Sequence, residues 1–200
     1  MGIGWSGRAQ GCTLTDAALL AEQLLDELPD RWSHVSTVGT RAEQFGGCPV
    51  EVRMAAWLHD IGYSPVVQRS EMHAVDGAAA LRDWGWPAEV VSLVAYHSGA
   101  IWEAEARGVS DWLDPFEVPA DDHLAMLTYL DMTSGPTGEV VSPTTRLDEI
   151  LRRYPRHSPV HRSVQSHASL LIAMSEHGKV LLADAYGGGP VKGVCDSDSH

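Results

Sequence analysis

From Thr13 onward the apolar residues of this chain recur at helical spacing, and run after run is closed by proline or glycine. No alternating apolar and polar stretch is long enough to build a sheet. That property restricts the fold class to all-α: a bundle of about seven or eight helices joined by short loops. Thr13 and Asp16 form a capping box ahead of Leu14, Ala17, Ala18, Ala21, Leu24, Leu25 and Leu28, and Pro29 closes this run. A second helix is expected from about Arg31 to Phe45, ended by Gly46-Gly47, and a third opens at Pro49 and runs up to His59-Asp60.

Residues 64–72 read as a loop. Helices are then expected over His73 to Trp84 and from Pro87 to His97. The segment 100–120, with Trp102, Trp112, Pro115 and Pro119, reads as irregular or only partly helical and as an insertion that covers something. Asp121 or Asp122 caps a helix ending at Met132, Ser142-Pro143 opens one to Tyr154, and Ser158-Pro159 opens a long last one to about Tyr186. The pattern shows no internal repeat and no second core. The expected organisation is a flexible leader over 1–12, a single helical domain over 13–186 and a disordered, Gly-rich tail over 187–200.

Lys and Arg number 14 against 27 Asp and Glu, giving a formal net charge of −13. This opposes binding to a nucleic-acid backbone or an anionic membrane, so neither extended nucleic acid nor membrane is an expected partner. A small phosphorylated substrate remains compatible, because bound divalent cations reverse the local field inside an acidic protein. The three cysteines, Cys12, Cys48 and Cys195, are too few and too scattered for a disulfide framework and read as reduced thiols. With no apolar run of about 20 residues, the expected location is cytoplasmic. An exposed apolar stripe on the last helix would support a homodimer.

Ten histidines are many for a chain without a histidine tract. Those on the expected core side, at helix ends or starts, are His34, His59 (paired with Asp60), His73 and His97, and Asp131 joins them. Imidazole and carboxylate donors without cysteine suit one or two divalent transition metal ions, Mn, Fe, Co, Ni or Zn, and speak against a structural zinc site. His34, His59, Asp60 and Asp131 supply four ligands to one metal. His73 and His97 add a second, with the Asp60 carboxylate reaching both. His123, His157, His161, His167, His177 and His200 read as surface or packing residues, and Trp84, Trp86, Trp102 and Trp112 as core or interface.

The order His34, His59-Asp60, Asp131 on an all-α chain resembles the HD-domain metal-dependent phosphohydrolases, in particular a compact, single-domain bacterial branch. The resemblance runs from about Arg31 to Ser158. It includes Trp57-Leu58-His59-Asp60-Ile61-Gly62-Tyr63, His73-Ala74-Val75-Asp76-Gly77-Ala78, Tyr96-His97-Ser98-Gly99-Ala100 and Tyr129-Leu130-Asp131-Met132-Thr133. It implies an HD-like helical bundle and hydrolysis of a nucleotide or other small phosphate ester, with Asp60 as the catalytic residue. Arg41, Arg53 and Arg146 are the candidates for binding substrate phosphate. The chain departs from the cyclic-di-GMP phosphodiesterase branch, which follows its HD with a lysine and carries a Gly-Tyr-Pro motif. Here Tyr63 stands at the lysine position and no Gly-Tyr-Pro occurs, so cyclic dinucleotides are not the expected substrates. Some HD-type proteins with the additional histidines hold a diiron pair and oxidise a small substrate with O₂, which is the alternative activity. A sensor module with a degenerate site is a third reading, opposed by the retention of every ligand position.

Overall fold

The computed structural model describes residues 12–185. The leader and tail expected over 1–12 and 187–200 lie outside the described residues, Cys12 excepted. Thr13 caps α1 (Leu14–Leu25) through the capping box with Asp16, and the chain turns before Pro29, which is the first residue of α2 (Pro29–Gln44). Helix α3 (Val50–Leu58) follows Pro49 and stops just before His59-Asp60, after which Ile61–Tyr63 forms one 3₁₀ turn. The next pair is α4 (His73–Asp83) and α5 (Ala88–Tyr96), followed by a 3₁₀ turn at His97–Gly99. Helix α6 (Ala100–Arg107) and a 3₁₀ turn at Ser110–Leu113 fill the segment expected to be irregular. The chain closes with α7 (Asp121–Met132), α8 (Pro143–Arg153) and α9 (Pro159–Ala185). Among the described residues there is no strand, only an isolated bridge between Ser134 and Val140.

Helix α3 carries the centre. Six of its nine residues are buried, and it packs against α1, α2, α5 and α7. An apolar side chain taken out of water on this scale contributes about 1.5–3 kcal/mol, and Leu25, Leu58, Ile61, Leu81, Leu93, Leu127 and Leu130 are all fully enclosed. Two close approaches set the geometry around it. A Cβ on Gly62 would lie 1.9 Å from the His73 carbonyl oxygen, so only glycine lets the start of α4 press on the turn after His59-Asp60. A Cβ on Gly178 would lie 2.0 Å from the Ala125 carbonyl oxygen, which is how α9 beds against α7.

A second, smaller apolar cluster of Met132, Leu147, Val164 and Leu171 ties α8 and the first half of α9 to the end of α7. Helix α9 bends at His167, whose backbone leaves helical geometry (φ −120°, ψ 15°) and whose ring stacks on Trp102 of α6 at 4.5 Å. These pieces form a cover over the ends of α3 and α7. On α9 the exposed large apolar side chains are Leu170 and Val180. No helix among the described residues is long and apolar enough to cross a membrane.

Candidate metal centre

Where α3 runs out at Leu58, His59 and Asp60 enter the middle of the bundle on a turn that is itself enclosed; both are buried, as are His34, His97 and Asp131. His34 comes from α2, His73 from the first residue of α4, His97 from the end of α5 and Asp131 from the last turn of α7. Five elements therefore converge on one point.

The hydrogen bonds fix which ring nitrogens face inward. His34 Nδ1 lies 3.1 Å from the Gly135 carbonyl oxygen, His59 Nδ1 3.0 Å from that of Ala56, and His97 Nδ1 2.7 Å from that of Val94. A carbonyl oxygen can only accept, so each Nδ1 carries a proton and each ring turns its Nε2, the atom free to bind a metal, to the centre. Those Nε2 atoms meet other acceptors. His34 Nε2 is 3.3 Å from His59 Nε2 and 3.0 Å from Asp131 Oδ1, and His73 Nε2 is 3.2 Å from His97 Nε2. Lone pairs crowded in this way repel unless a proton or a cation lies among them. Two ligands bound to one cation at about 2.1 Å sit about 3.0–3.4 Å apart for octahedral or tetrahedral angles, which is the spacing found here.

Two groups result, His34, His59 and Asp131 in one and Asp60, His73 and His97 in the other, and each can hold a divalent metal. Asp60 joins them. Its Oδ2 lies 3.4 Å from His59 Nε2 and 3.9 Å from His34 Nε2, while its Oδ1 lies 3.3 Å from His73 Nε2 and 3.7 Å from His97 Nε2.

Electrostatics point the same way. Burial pulls His59 toward the neutral form, but the carboxylates of Asp60 and Asp131 outweigh it and raise its pKa, so this spot attracts positive charge. Burial would raise the pKa of Asp60, yet Arg31 and His59 hold it well below the usual carboxylate range. Asp131 is likewise depressed against burial, chiefly by its hydrogen bond with His34. His73 is shifted the other way, lowered by burial despite the Asp60 carboxylate.

Around the six lies a set of supporting side chains. Arg31 donates to Asp60 Oδ2 and lies 4.0 Å above the ring of Tyr63, which in turn stacks on His73 at 4.1 Å. Ser98 donates to Asp131 Oδ2 from a left-handed backbone conformation (φ 46°), a strained turn that aims His97 and Ser98 at the same centre. Neither Arg31 nor Ser98 is evident from the sequence as a site residue, although Arg31 stands one turn before His34 and Ser98 directly follows His97.

Of the three arginines expected to bind substrate, one borders the site. Arg146 lines the cavity beside Asp131, with Nη2 3.9 Å from Asp131 Oδ1. Arg41 is instead committed to the Leu130 carbonyl oxygen and Ser134 Oγ, at 3.1 and 2.7 Å, holding the end of α7. Arg53 donates to the carbonyls of Phe45 and Gly46 at the end of α2. Both point away from the cavity because backbone acceptors at neighbouring helix ends lie within their reach. The site's other basic groups are Arg31 and Arg153. Four other histidines have partners elsewhere: His123 with Glu89, His161 with the Tyr154 carbonyl, His167 with the Ser163 carbonyl and His177 with Asp122. His200 lies outside the described residues.

A comparison with curated proteins and one with solved structures each gave no match. The family model described as HD domain matches residues 17–153, a span that runs from α1 to the end of α8 and takes in all six converging residues. With that match over more than half of its length, the chain belongs to the HD domain family.

Proposed function

We propose that this protein is a metal-dependent phosphohydrolase acting on a nucleotide or other small phosphate ester. The observation that carries the reading is the Asp60 carboxylate, which turns one oxygen to each histidine pair at the edge of a cavity bordered by Arg31, Arg146 and Arg153. The family is mostly one of metal-dependent phosphohydrolases, and three cationic side chains beside two carboxylate-histidine groups suit an anionic substrate.

His34, His59, Asp60 and Asp131 would hold one divalent ion, and His73 and His97 with Asp60 a second. Such ions supply Lewis acidity to the phosphoryl oxygens and lower the pKa of water. Within the chain, the carbonyls of Gly135, Ala56 and Val94 accept from the three Nδ1 atoms and keep the three Nε2 atoms aimed inward. Arg31 holds the orientation of Asp60, and Ser98 that of Asp131. Arg146, which lines the cavity beside Asp131, would receive phosphoryl oxygens. Asp60 is the catalytic residue of this reading, as the one side chain facing both groups.

The test is metal analysis of the purified protein together with release of phosphate from a broad panel of esters. Full metal content and full activity in Asp60→Ala would end the assignment. An O₂-using diiron enzyme could be built on the same six residues, and the arginines support the hydrolase instead. Activity unchanged without oxygen, with no oxygen uptake, is the expected result.

A further inference from the structure

Among the described residues, Ser98 is the one residue other than glycine with a positive φ (φ 46°, ψ 38°). It stands between His97 and Gly99, which is left-handed as well (φ 84°, ψ 24°), and the Ala100 N–H donates to the His97 carbonyl oxygen. Two left-handed residues in succession, closed by a hydrogen bond of this kind, make a type I′ turn. Such turns are dominated by Gly, Asn and Asp at both central positions, because other side chains crowd the backbone there. Position 99 obeys, and a Cβ on Gly99 would also lie 2.7 Å from the Trp102 ring. Position 98 does not: a serine is held in a backbone that disfavours it.

Its side chain supplies the reason. The Ser98 hydroxyl donates to Asp131 Oδ2, joining residues 33 positions apart. A carboxylate only accepts, so the proton is the serine's. With Oδ2 tied, the carboxylate is held against rotation about its bond to Cβ, and Oδ1 is kept 3.0 Å from His34 Nε2.

The left-handed turn is what brings this hydroxyl to bear. Had the helix continued through His97, the next residue would point about 100° away round the axis. Here two adjacent residues reach the same centre instead. His97 joins Asp60 and His73 in one group, while Ser98 grips a member of the other.

We propose that Ser98 is a positioning residue for Asp131: its hydroxyl keeps the carboxylate in register with His34 and His59, and the turn retains a disfavoured residue because only a side chain with a donor there does so. The inference rests on the metal-dependent reading above and deepens it, by assigning part of the metal affinity to a side chain that is not itself a ligand.

Two substitutions separate the hydroxyl from the backbone. Ser98→Ala removes the hydroxyl and leaves a Cβ in the left-handed turn, whereas Ser98→Gly removes the hydroxyl and suits the turn. In chelator-stripped protein Ser98→Gly is expected to melt about 2–4 °C above Ser98→Ala, the shift that relief of one such residue gives in a chain of this size. Dissociation constants for Mn²⁺, Fe²⁺, Co²⁺, Ni²⁺ and Zn²⁺ are then measured on the full chain by competition with a chelator. Both variants are expected to hold one of their ions about 10–100-fold more weakly than the unsubstituted chain, the loss typical when an outer partner of a metal ligand is removed. A Ser98→Gly chain with the affinity of the original overturns the inference, because the turn would then act only by placing His97, or the hydroxyl by meeting substrate. Weakened metal binding in both variants, with no phosphate released from any ester by the unsubstituted protein, upholds the role of Ser98 and overturns the phosphohydrolase reading. Unsubstituted protein that binds none of the five ions overturns both.

Discussion

At the residue scale the decisive group is Asp60, because its two oxygens serve different partners and a substitution can separate charge from shape. Asp60→Asn keeps the size of the side chain but removes the negative charge that faces both histidine pairs and Arg31. Its expected result is loss of bound metal by elemental analysis and a fall in phosphate release of at least about 100-fold, more than the loss typical when only an outer partner of a ligand is removed. His73→Gln touches one group alone, so metal content should fall from two ions per chain to one; retention of two would break the assignment of His73 to the second group. Cys48 makes a contrasting case. It is 3% exposed and burial pushes its thiol up to about 11, so at pH 8 only about one molecule in a thousand carries the thiolate. Mass spectrometry after brief labelling with a thiol reagent should find Cys48 unmodified in native protein and modified in guanidinium. The clustering histidines and acids were legible because their types are uncommon together and fall at helix ends. Arginine assignments were not. The sequence puts forward Arg41, Arg53 and Arg146 and passes over Arg31, and only the tertiary positions of the Leu130, Phe45 and Gly46 carbonyls and of the Asp60 carboxylate decide where Arg31, Arg41 and Arg53 go.

At the element scale the site depends on how α4 meets the turn after α3. Gly62 reads in sequence as a helix stop following His59-Asp60, and what it does becomes visible only when the start of α4 is seen against it. Its missing Cβ is what allows the His73 carbonyl to come so near. Gly62→Ala forces the turn and α4 apart, and such overpacking costs about 1–3 kcal/mol. The expected outcome is a lower melting temperature together with weaker metal binding at the group containing His73, since that residue opens α4. A variant that melts lower yet binds both metals with unchanged affinity would show that this contact serves stability alone. Helix α6 was harder to read, because Trp102 and the prolines further along interrupt the apolar period over 100–120. Its register is fixed by packing, with Ala100 and Ala104 turned to the core and Trp102 against His167 of α9. The kink of α9 at that histidine also has no sequence signal, since the apolar pattern continues through it.

At the scale of the whole molecule, helical periodicity without alternation was enough to give an all-α bundle, and the cover made by α8 and α9 could not be foreseen because its contacts are long-range. The same architecture predicts that bound metal stabilises the fold. Several helices of the bundle and the turns between them bring the side chains of His34, His59, Asp60, His73, His97 and Asp131 into one space, where nitrogens and carboxylate oxygens lie close enough that a cation among them relieves their repulsion. A metal that binds the folded chain and not the unfolded one adds about 2.7 kcal/mol when present at about 100 times its dissociation constant. For a chain of this size each kcal/mol moves the midpoint by about 2–4 °C, so saturating metal should raise the melting temperature by about 5–10 °C over chelator-stripped protein. Thermal melts with Mn²⁺, Fe²⁺, Co²⁺, Ni²⁺ and Zn²⁺ in turn would measure this and rank the ions. The shift should shrink in Asp60→Asn, where one group faces an amide nitrogen in place of its oxygen and the other keeps only a neutral carbonyl oxygen. If stripped and metal-loaded protein melted together for every ion, the acceptor-rich centre would be satisfied by protons alone, and the assignment of these groups as metal sites would fall.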